Sequence, residues 1–222
     1  MTTIGFIGSG NIGGTVARLA VAAGYDVVIS NSRGPETLKE FAEELGPKAR
    51  AATASEAAAA GDIVVVSVPF KAFAQLPVAE LAGKVVLDTN NYYPQRDGAF
   101  EALQSGELTS AQLEQQTLGT AHVVKVFNNI WSGHLGALTR PAGAADRSAL
   151  PIAGDDAAAK QTATEFLDTI GYDTVDTGSL ADSWRQEPGT PVYGPPYGAY
   201  GELPGTPASA EKIREALAAA SR

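Results

Sequence analysis

Short apolar runs alternate with segments of helical periodicity along this chain. Residues 4–7 form the first apolar run, and a glycine-rich turn follows it. Ile12, Val16, Leu19, Ala20 and Ala23 then recur at the spacing of one helix face, and Gly24 closes the pattern. A β-branched run over 26–30 predicts the second strand. Leu38, Phe41, Ala42 and Leu45 mark an amphipathic helix that starts after Pro35 and stops at Gly46. A weak strand is expected at 50–53 and an alanine-rich helix at 55–60. Residues 62–68 (DIVVVSV) are a nearly continuous apolar run, the pattern of a strand covered on both faces, and Pro69 ends it. A short helix over 72–81 leads to a strand at 84–88, and 90–106 form a long polar connection with some helix. Thr109, with Gln112 reaching back to it, caps a helix that runs to Leu118. Further strands are expected at 122–127, 150–153 and 172–176, with a helix over 157–170 between the last two.

This alternation is the mark of βαβ units. It predicts an α/β fold: a Rossmann-type, doubly wound, mostly parallel sheet of about eight strands. Residues 1–183 are read as one dinucleotide-binding domain, with a fingerprint half (1–121) and a sheet extension (122–183). Residues 184–222 form a small irregular extension. Its 187–207 stretch is rich in Pro, Gly and Tyr, which rules out regular helix or central strand there, and a last short helix is expected at 209–220. Such a segment needs a surface to pack on, so a homodimer is expected.

Composition narrows the partners. Hydrophobic residues make up 44% and charged residues 18% of the 222, enough to bury a core. The net charge is −9 with no offsetting basic patch, so no nucleic-acid partner is expected. An anionic cofactor would need positive potential supplied locally. The chain has no cysteine, which removes disulfides, thiolate catalysis and zinc–thiolate sites; no metal is expected, and the cytoplasm is the expected compartment. The opening MTTIGFIG carries no charged leader, and no run approaches the ~18 apolar residues of a membrane span.

The candidate chemistry begins at Gly8-Ser9-Gly10-Asn11-Ile12-Gly13, which fits G-x-G-x-x-G directly between a strand and a helix. Gly8 permits the tight turn, Gly10 the approach of a pyrophosphate, and Gly13 close helix–strand packing. The second strand chooses between nicotinamide cofactors. It ends in Ser30-Asn31-Ser32-Arg33, with no acid to hold a free ribose 2′-hydroxyl. Arg33 can pair with a 2′-phosphate, and Asn31 and Ser32 can donate hydrogen bonds to it. NADP is therefore the expected cofactor; the plainer alternative is a solvated arginine before a turn. Ligands bind at the carboxyl ends of such strands. Ser67, Val68 and Pro69 at the end of the fourth strand, and Asn90 after the fifth, are accordingly expected to border the dinucleotide. Strand termination by Pro69 and turn formation by Asn90-Asn91 would explain the same residues.

Hydride-transfer enzymes often need a proton donor. His122 opens a strand and reads as structural. His134 follows the strand end Phe127-Asn128-Asn129 on the cofactor side. Two readings fit it: a group that orients a second substrate, or a helix-surface histidine. Lys125, inside a strand run, receives no catalytic role.

The strings IGFIGSGNIG, NSR, VVVSVPF, VLDTNN, VVKVFNN, PIAGDD and DTGSL, in this order, resemble the NADPH-dependent coenzyme F420 reductase (F420H2:NADP oxidoreductase) family over roughly residues 3–185. The resemblance implies direct hydride transfer between NADP(H) and an 8-hydroxy-5-deazaflavin or a flavin-like acceptor such as FMN or FAD. It implies that Ser9, Asn31, Ser32 and Arg33 serve NADP, and that the loop after Val126, with Asn128 and Asn129, and the C-terminal segment shape the acceptor pocket. Arg185, just after DTGSL, could meet an anionic acceptor tail or be a solvated charge. Tyr193, Tyr197 and Tyr200 could flank a flat ring or be stiff packing. Residues 187–207 depart from the family pattern. The rival functions are an NADPH-dependent imine or carbonyl reductase and a non-catalytic NADP-sensing protein.

Overall fold

The computed structural model describes residues 2–222. Eight strands are present: β1 (Thr3–Ile7), β2 (Asp26–Ser30), β3 (Ala49–Ala51), β4 (Ile63–Val66), β5 (Val85–Asp88), β6 (His122–Lys125), β7 (Ala149–Gly154) and β8 (Asp173–Gly178). The α-helices are α1 (Asn11–Ala22), α2 (Lys39–Leu45), α3 (Ala54–Ala60), α4 (Val78–Leu81), α5 (Pro94–Asp97), α6 (Glu101–Gln104), α7 (Ser110–Leu118), α8 (Ser132–Ala137), α9 (Ala157–Thr169) and α10 (Ala210–Ala218). The strands form one sheet in the order β3-β2-β1-β4-β5-β6-β7-β8.

Period-two alternation within β4 sorts its side chains between two cores. Ile63 and Val65 join α1, α8, α9 and α10 on one face. Val64 and Val66 join α3, α4 and α7 on the other. This makes the sheet doubly wound, and chain order reverses between β1 and β4, the switch point where such sheets bind ligands.

The first six strands run parallel, whereas β7 pairs antiparallel with β6, and β8 follows β7 in parallel. Only Val124↔Gly154 and Lys125↔Ala153 pair between β6 and β7. The first residues of β7 therefore overhang the carboxyl edge of β6. That overhang is the ledge on which the C-terminal segment docks: Ala149 donates its N–H to the Ala208 carbonyl at 2.8 Å, and the Tyr197 hydroxyl donates to the Ala149 carbonyl at 2.9 Å. Val192, Tyr197, Ala208, Ile213 and Leu217 are buried in the same core as β1 and α1. The irregular segment thus finds its packing surface within its own chain.

Element boundaries differ from the sequence pattern where proline and glycine act. The helix expected at 72–81 is a 3-10 turn (Phe70–Gln75) followed by α4, because Leu76 is extended before Pro77. The helix after Pro35 likewise opens as a 3-10 turn (Pro35–Leu38) before α2. Three elements had no pattern long enough to signal them: α8 and the 3-10 turns Leu180–Gln186 and Pro195–Tyr197.

Candidate functional site

The turn from β1 into α1 is shaped by contacts that only glycine allows. Gly8 has φ of 99°, and a Cβ there would stand 2.1 Å from the Ser67 carbonyl oxygen. A Cβ on Gly13 would stand 2.1 Å from the Gly8 carbonyl oxygen. Gly10 is different: a Cβ there would meet nothing within 4 Å. Its missing side chain leaves open the space in front of α1 rather than relieving a clash. Gly10 is the N-cap of α1, offers no side-chain cap, and no acid occupies the first turn. The first amides of α1 and the positive end of its dipole therefore face a bare, exposed surface, which is what a pyrophosphate requires.

The ends of β1 and β2 lie side by side, with Gly8 N–H donating to the Ser30 carbonyl at 3.1 Å. Immediately beyond, Asn31 Oδ1 accepts from the Arg33 N–H at 2.9 Å, and its Nδ2 donates to Thr37 Oγ1 at 2.9 Å. The Asn31 amide is thus used in holding the turn, while Ser32 and Arg33 are exposed.

A cleft of about 1080 Å³ opens over the carboxyl edge of the sheet. Its walls come from residues 10–12, 67–69 and 89–91, from Tyr93 and Arg96, from 128–132 with His134, and from 193–195 and 198–200 of the C-terminal segment. Of the residues singled out in the sequence, Gly10, Asn11, Ile12, Ser67, Val68, Pro69, Asn90, Asn128, Asn129 and His134 line this one cavity. Gly8, Ser9 and Gly13 build the turn beside it, and 31–33 sit at the adjoining strand end. Arg185 is not part of the wall: the 3-10 turn Leu180–Gln186 sets its guanidinium over the Trp184 ring, 4.9 Å from the ring centre.

Asn128 and Asn129 act on the cleft through the segment they hold. Asn128 Nδ2 donates to the Gln186 carbonyl at 2.7 Å and its Oδ1 accepts from Gln186 Nε2 at 3.0 Å. Asn129 Nδ2 donates to the Val192 carbonyl at 3.0 Å. Phe127, just before them, takes φ of 64°, a conformation that costs a non-glycine residue and that aims the loop across the cleft. His134 is buried on α8 rather than lying on a helix surface. Its Nε2 shares a 2.8 Å hydrogen bond with the Glu202 carbonyl, and its ring meets Trp131 edge-on with centroids 5.0 Å apart. His134 thus ties down the 198–206 loop. Of the three C-terminal tyrosines, Tyr193 and Tyr200 line the cleft, and Tyr197 is fully buried in the core.

Beneath Asn90 lies an ionic cluster. Lys125 Nζ sits 2.8 Å from Asp88 Oδ2, with both side chains fully buried at the ends of adjacent strands. The ammonium also donates to the Asn90 carbonyl and, at 3.3 Å, to Ser110 Oγ. Asp88 Oδ1 accepts from the Asn90 N–H at 2.7 Å. Asn90 is therefore gripped at both backbone groups, and its Oδ1 accepts from the Val68 N–H at 2.8 Å, joining the ends of β4 and β5. Glu114 of α7 is buried beside them. Burial, then the Asp88 carboxylate, pushes its carboxyl well up, against the pull of Lys125 and the Asn90 amide. The cluster thus sets one lysine among two carboxyl groups, of which Glu114 is the one pushed toward its protonated form.

A second network, from residues the sequence did not single out together, lines the cleft wall. The Tyr93 and Tyr193 hydroxyls hydrogen-bond to each other, and Asn91 Nδ2 donates to Tyr193 at 3.3 Å. The Arg96 guanidinium lies 4.9 Å from the Tyr93 ring centre and pairs with Asp97 through Nε (2.9 Å) and Nη2 (2.8 Å). Burial alone would raise the Asp97 carboxyl, but Arg96 and the Tyr93 and Lys71 amides outweigh it and hold it low. Burial, then the Tyr93 hydroxyl, raises Tyr193. The sequence signal was faint: two tyrosines and an Arg-Asp pair inside a connection that otherwise reads as polar loop.

Comparison with known proteins agrees with this geometry. Residues 3–92 match the family model described as NADP oxidoreductase, coenzyme F420-dependent. The metalloreductase STEAP3 of Rattus norvegicus is 29% identical over 186 residues, 83% of this chain and 35% of that protein. The chain spans 35% to 39% of the length of the curated relatives it matches. Among solved structures, SMa0349 from Sinorhizobium meliloti superposes with a TM-score of 0.74 at 29% identity, covering 86% of this chain and 93% of that one. A candidate F420-dependent NADP-reductase from Arthrobacter sp. FB24 shares the fold with a TM-score of 0.68 at 23% identity, covering 82% and 87% of the two chains.

Proposed function

We propose that the protein is an NADP-dependent oxidoreductase whose hydride acceptor is a deazaflavin (coenzyme F420) or a flavin-like ring, a reading supported by the match of residues 3–92 to the coenzyme F420-dependent NADP oxidoreductase family model. One observation carries this reading: a single cleft runs from the bare N-terminus of α1 to a wall of tyrosine and tryptophan from the C-terminal half. At about 1080 Å³ it is large enough for a nicotinamide and a second ring together.

In this reading the α1 amides behind Gly10 hold the pyrophosphate, and Arg33, with Ser32, holds the 2′-phosphate. The Val68–Asn90 contact fixes the rim where the nicotinamide lies. The bound nicotinamide supplies the hydride. The chain supplies orientation, and the Asn128 and Asn129 ties keep the acceptor wall in place. Stacked rings with reacting carbons about 3–3.5 Å apart need little else for direct transfer.

Anaerobic mixing of NADPH with oxidised 8-hydroxy-5-deazaflavin, FMN or FAD tests the proposal, with 1-pyrroline as the imine control. Reduction of a ring acceptor is expected. Reduction of the imine alone would move the assignment to an imine reductase, and tight NADPH binding with no reduction to a sensor. A cytoplasmic homodimer is part of the proposal, with exposed Tyr200 and Leu203 as apolar surface for the second copy; a monomer mass in light scattering contradicts it. Among the described residues no helix is long and apolar enough to cross a membrane.

A further inference from the structure

Tyr93 and Tyr193 are separated by a hundred positions in sequence, yet their hydroxyls are in contact. The meeting depends on the C-terminal segment folding back over the carboxyl edge of the sheet. Either tyrosine can donate in that contact, and Asn91 favours one direction. Its Oδ1 accepts from Asn128 Nδ2 at 3.1 Å, and its Nδ2 donates to the Asn128 carbonyl at 2.8 Å, so the amide cannot be turned round. Its Nδ2 therefore also donates to the Tyr193 oxygen, at 3.3 Å. Tyr193 in turn has one proton to give, and the Tyr93 oxygen is there to accept it. Among the described residues the Tyr93 hydroxyl has no other hydrogen-bond partner, and both tyrosines line the cleft. Its own proton is then left for whatever occupies that cavity.

Arg96 completes the arrangement. Asp97, with its side chain fully buried, and the Asn91 carbonyl, 2.7 Å from Nη2, hold the guanidinium against the Tyr93 ring. A cation fixed on a ring face stabilises negative charge left on that ring. Such a donor is idle in NADP binding but is what a hydride acceptor needs when its electron pair must end on a heteroatom.

We infer that Tyr93 is a catalytic proton donor to the hydride acceptor, oriented and re-supplied through Tyr193, with Asn91 fixing the direction of the chain. This rests on the proposal that the acceptor shares the cleft with NADP. The acceptor class is an electrophilic carbon conjugated to a C=N nitrogen or C=O oxygen. The hydride forms a C–H bond at that carbon, and the π electron pair moves to the nitrogen or oxygen. That atom takes the Tyr93 hydroxyl proton, and the phenolate is refilled from solvent by way of Tyr193. NADPH is oxidised by two electrons, and the acceptor gains those two electrons as the hydride, together with one proton.

Single-turnover NADPH oxidation by oxidised 8-hydroxy-5-deazaflavin and by 1-pyrroline, in H2O and in D2O, tests this in wild type, Tyr93→Phe and Tyr193→Phe. With the acceptor that wild type reduces, Tyr93→Phe should slow transfer by about 10²–10⁴-fold. Tyr193→Phe should slow it less. Both should lose the solvent isotope effect while NADPH affinity is unchanged. A second arm needs no cofactor: in protein labelled with 13C at tyrosine Cζ, Tyr93→Phe should move the Tyr193 titration to lower pH, because its proton has lost its acceptor. Full activity in Tyr93→Phe overturns the donor assignment. An unmoved Tyr193 titration overturns the direction of the chain. A wild type that reduces none of the acceptors overturns the shared-cleft reading, and the proton donor with it.

Discussion

Gly10 and Gly13 belong to one fingerprint but serve different ends, and substitution separates them. Gly10 faces open space, so Gly10→Val should leave stability nearly unchanged and weaken NADPH by at least about tenfold, or ~1.4 kcal/mol. Gly13 abuts the Gly8 carbonyl, so Gly13→Ala should cost about 1–3 kcal/mol of stability in urea unfolding. Equal effects of the two on stability would contradict this division. At the end of β2, Arg33→Asp should weaken NADPH by about 1–3 kcal/mol in a fluorescence titration, the scale of a lost charged hydrogen bond. An unchanged affinity would mean that Arg33 is only a surface residue. These positions were legible because the fingerprint is local: strand, turn and helix are contiguous. Tyr93 and Arg96 were not, since their meaning depends on Tyr193, which only the fold brings near.

Among the elements, β5, β6 and α7 are tied by the Asp88–Lys125–Glu114 cluster. Lys125→Met would leave the Asp88 carboxylate buried without its cation, and a loss of about 3–5 kcal/mol is expected in urea unfolding. Glu114 gives a pH dependence whose sign follows from its raised carboxyl. Above the ordinary carboxylate value of about 4.3, the folded protein holds a proton that the unfolded chain has released. The stability of this neutral form is complete below that value and is lost as pH rises through the folded pKa. Glu114→Gln should therefore gain on wild type in urea unfolding as pH rises above the ordinary carboxylate value. A pH-independent difference would show that Glu114 is ionised in the fold. All eight strands were legible because six are buried and apolar, and glycine or proline bounds most of the eight, including the more exposed β3 and β8. The antiparallel run of β7 was not, because a strand's composition does not record its direction. The six residues of α8 were too few to show a period.

At the scale of the whole molecule, the C-terminal segment is the last wall of the cleft and part of the core. Ile213 on α10 is fully buried with strands of the sheet, so Ile213→Ala should cost about 2–5 kcal/mol. It should also lower the midpoint of one common unfolding transition; a separate early transition would show that α10 is only loosely attached. The sequence showed that 187–207 could not be regular structure but not where it would lie. That depends on the β7 overhang and on the carboxamides of Asn128 and Asn129, all long-range contacts.

Direct transfer requires nicotinamide and acceptor to meet in one cleft. The decisive experiment uses NADPH deuterated at the transferable C4 position, with oxidised 8-hydroxy-5-deazaflavin under anaerobic conditions and mass analysis of the products. With direct transfer the label appears in the reduced deazaflavin and not in water. Label lost to solvent, or NADPH bound without any transfer, would contradict it.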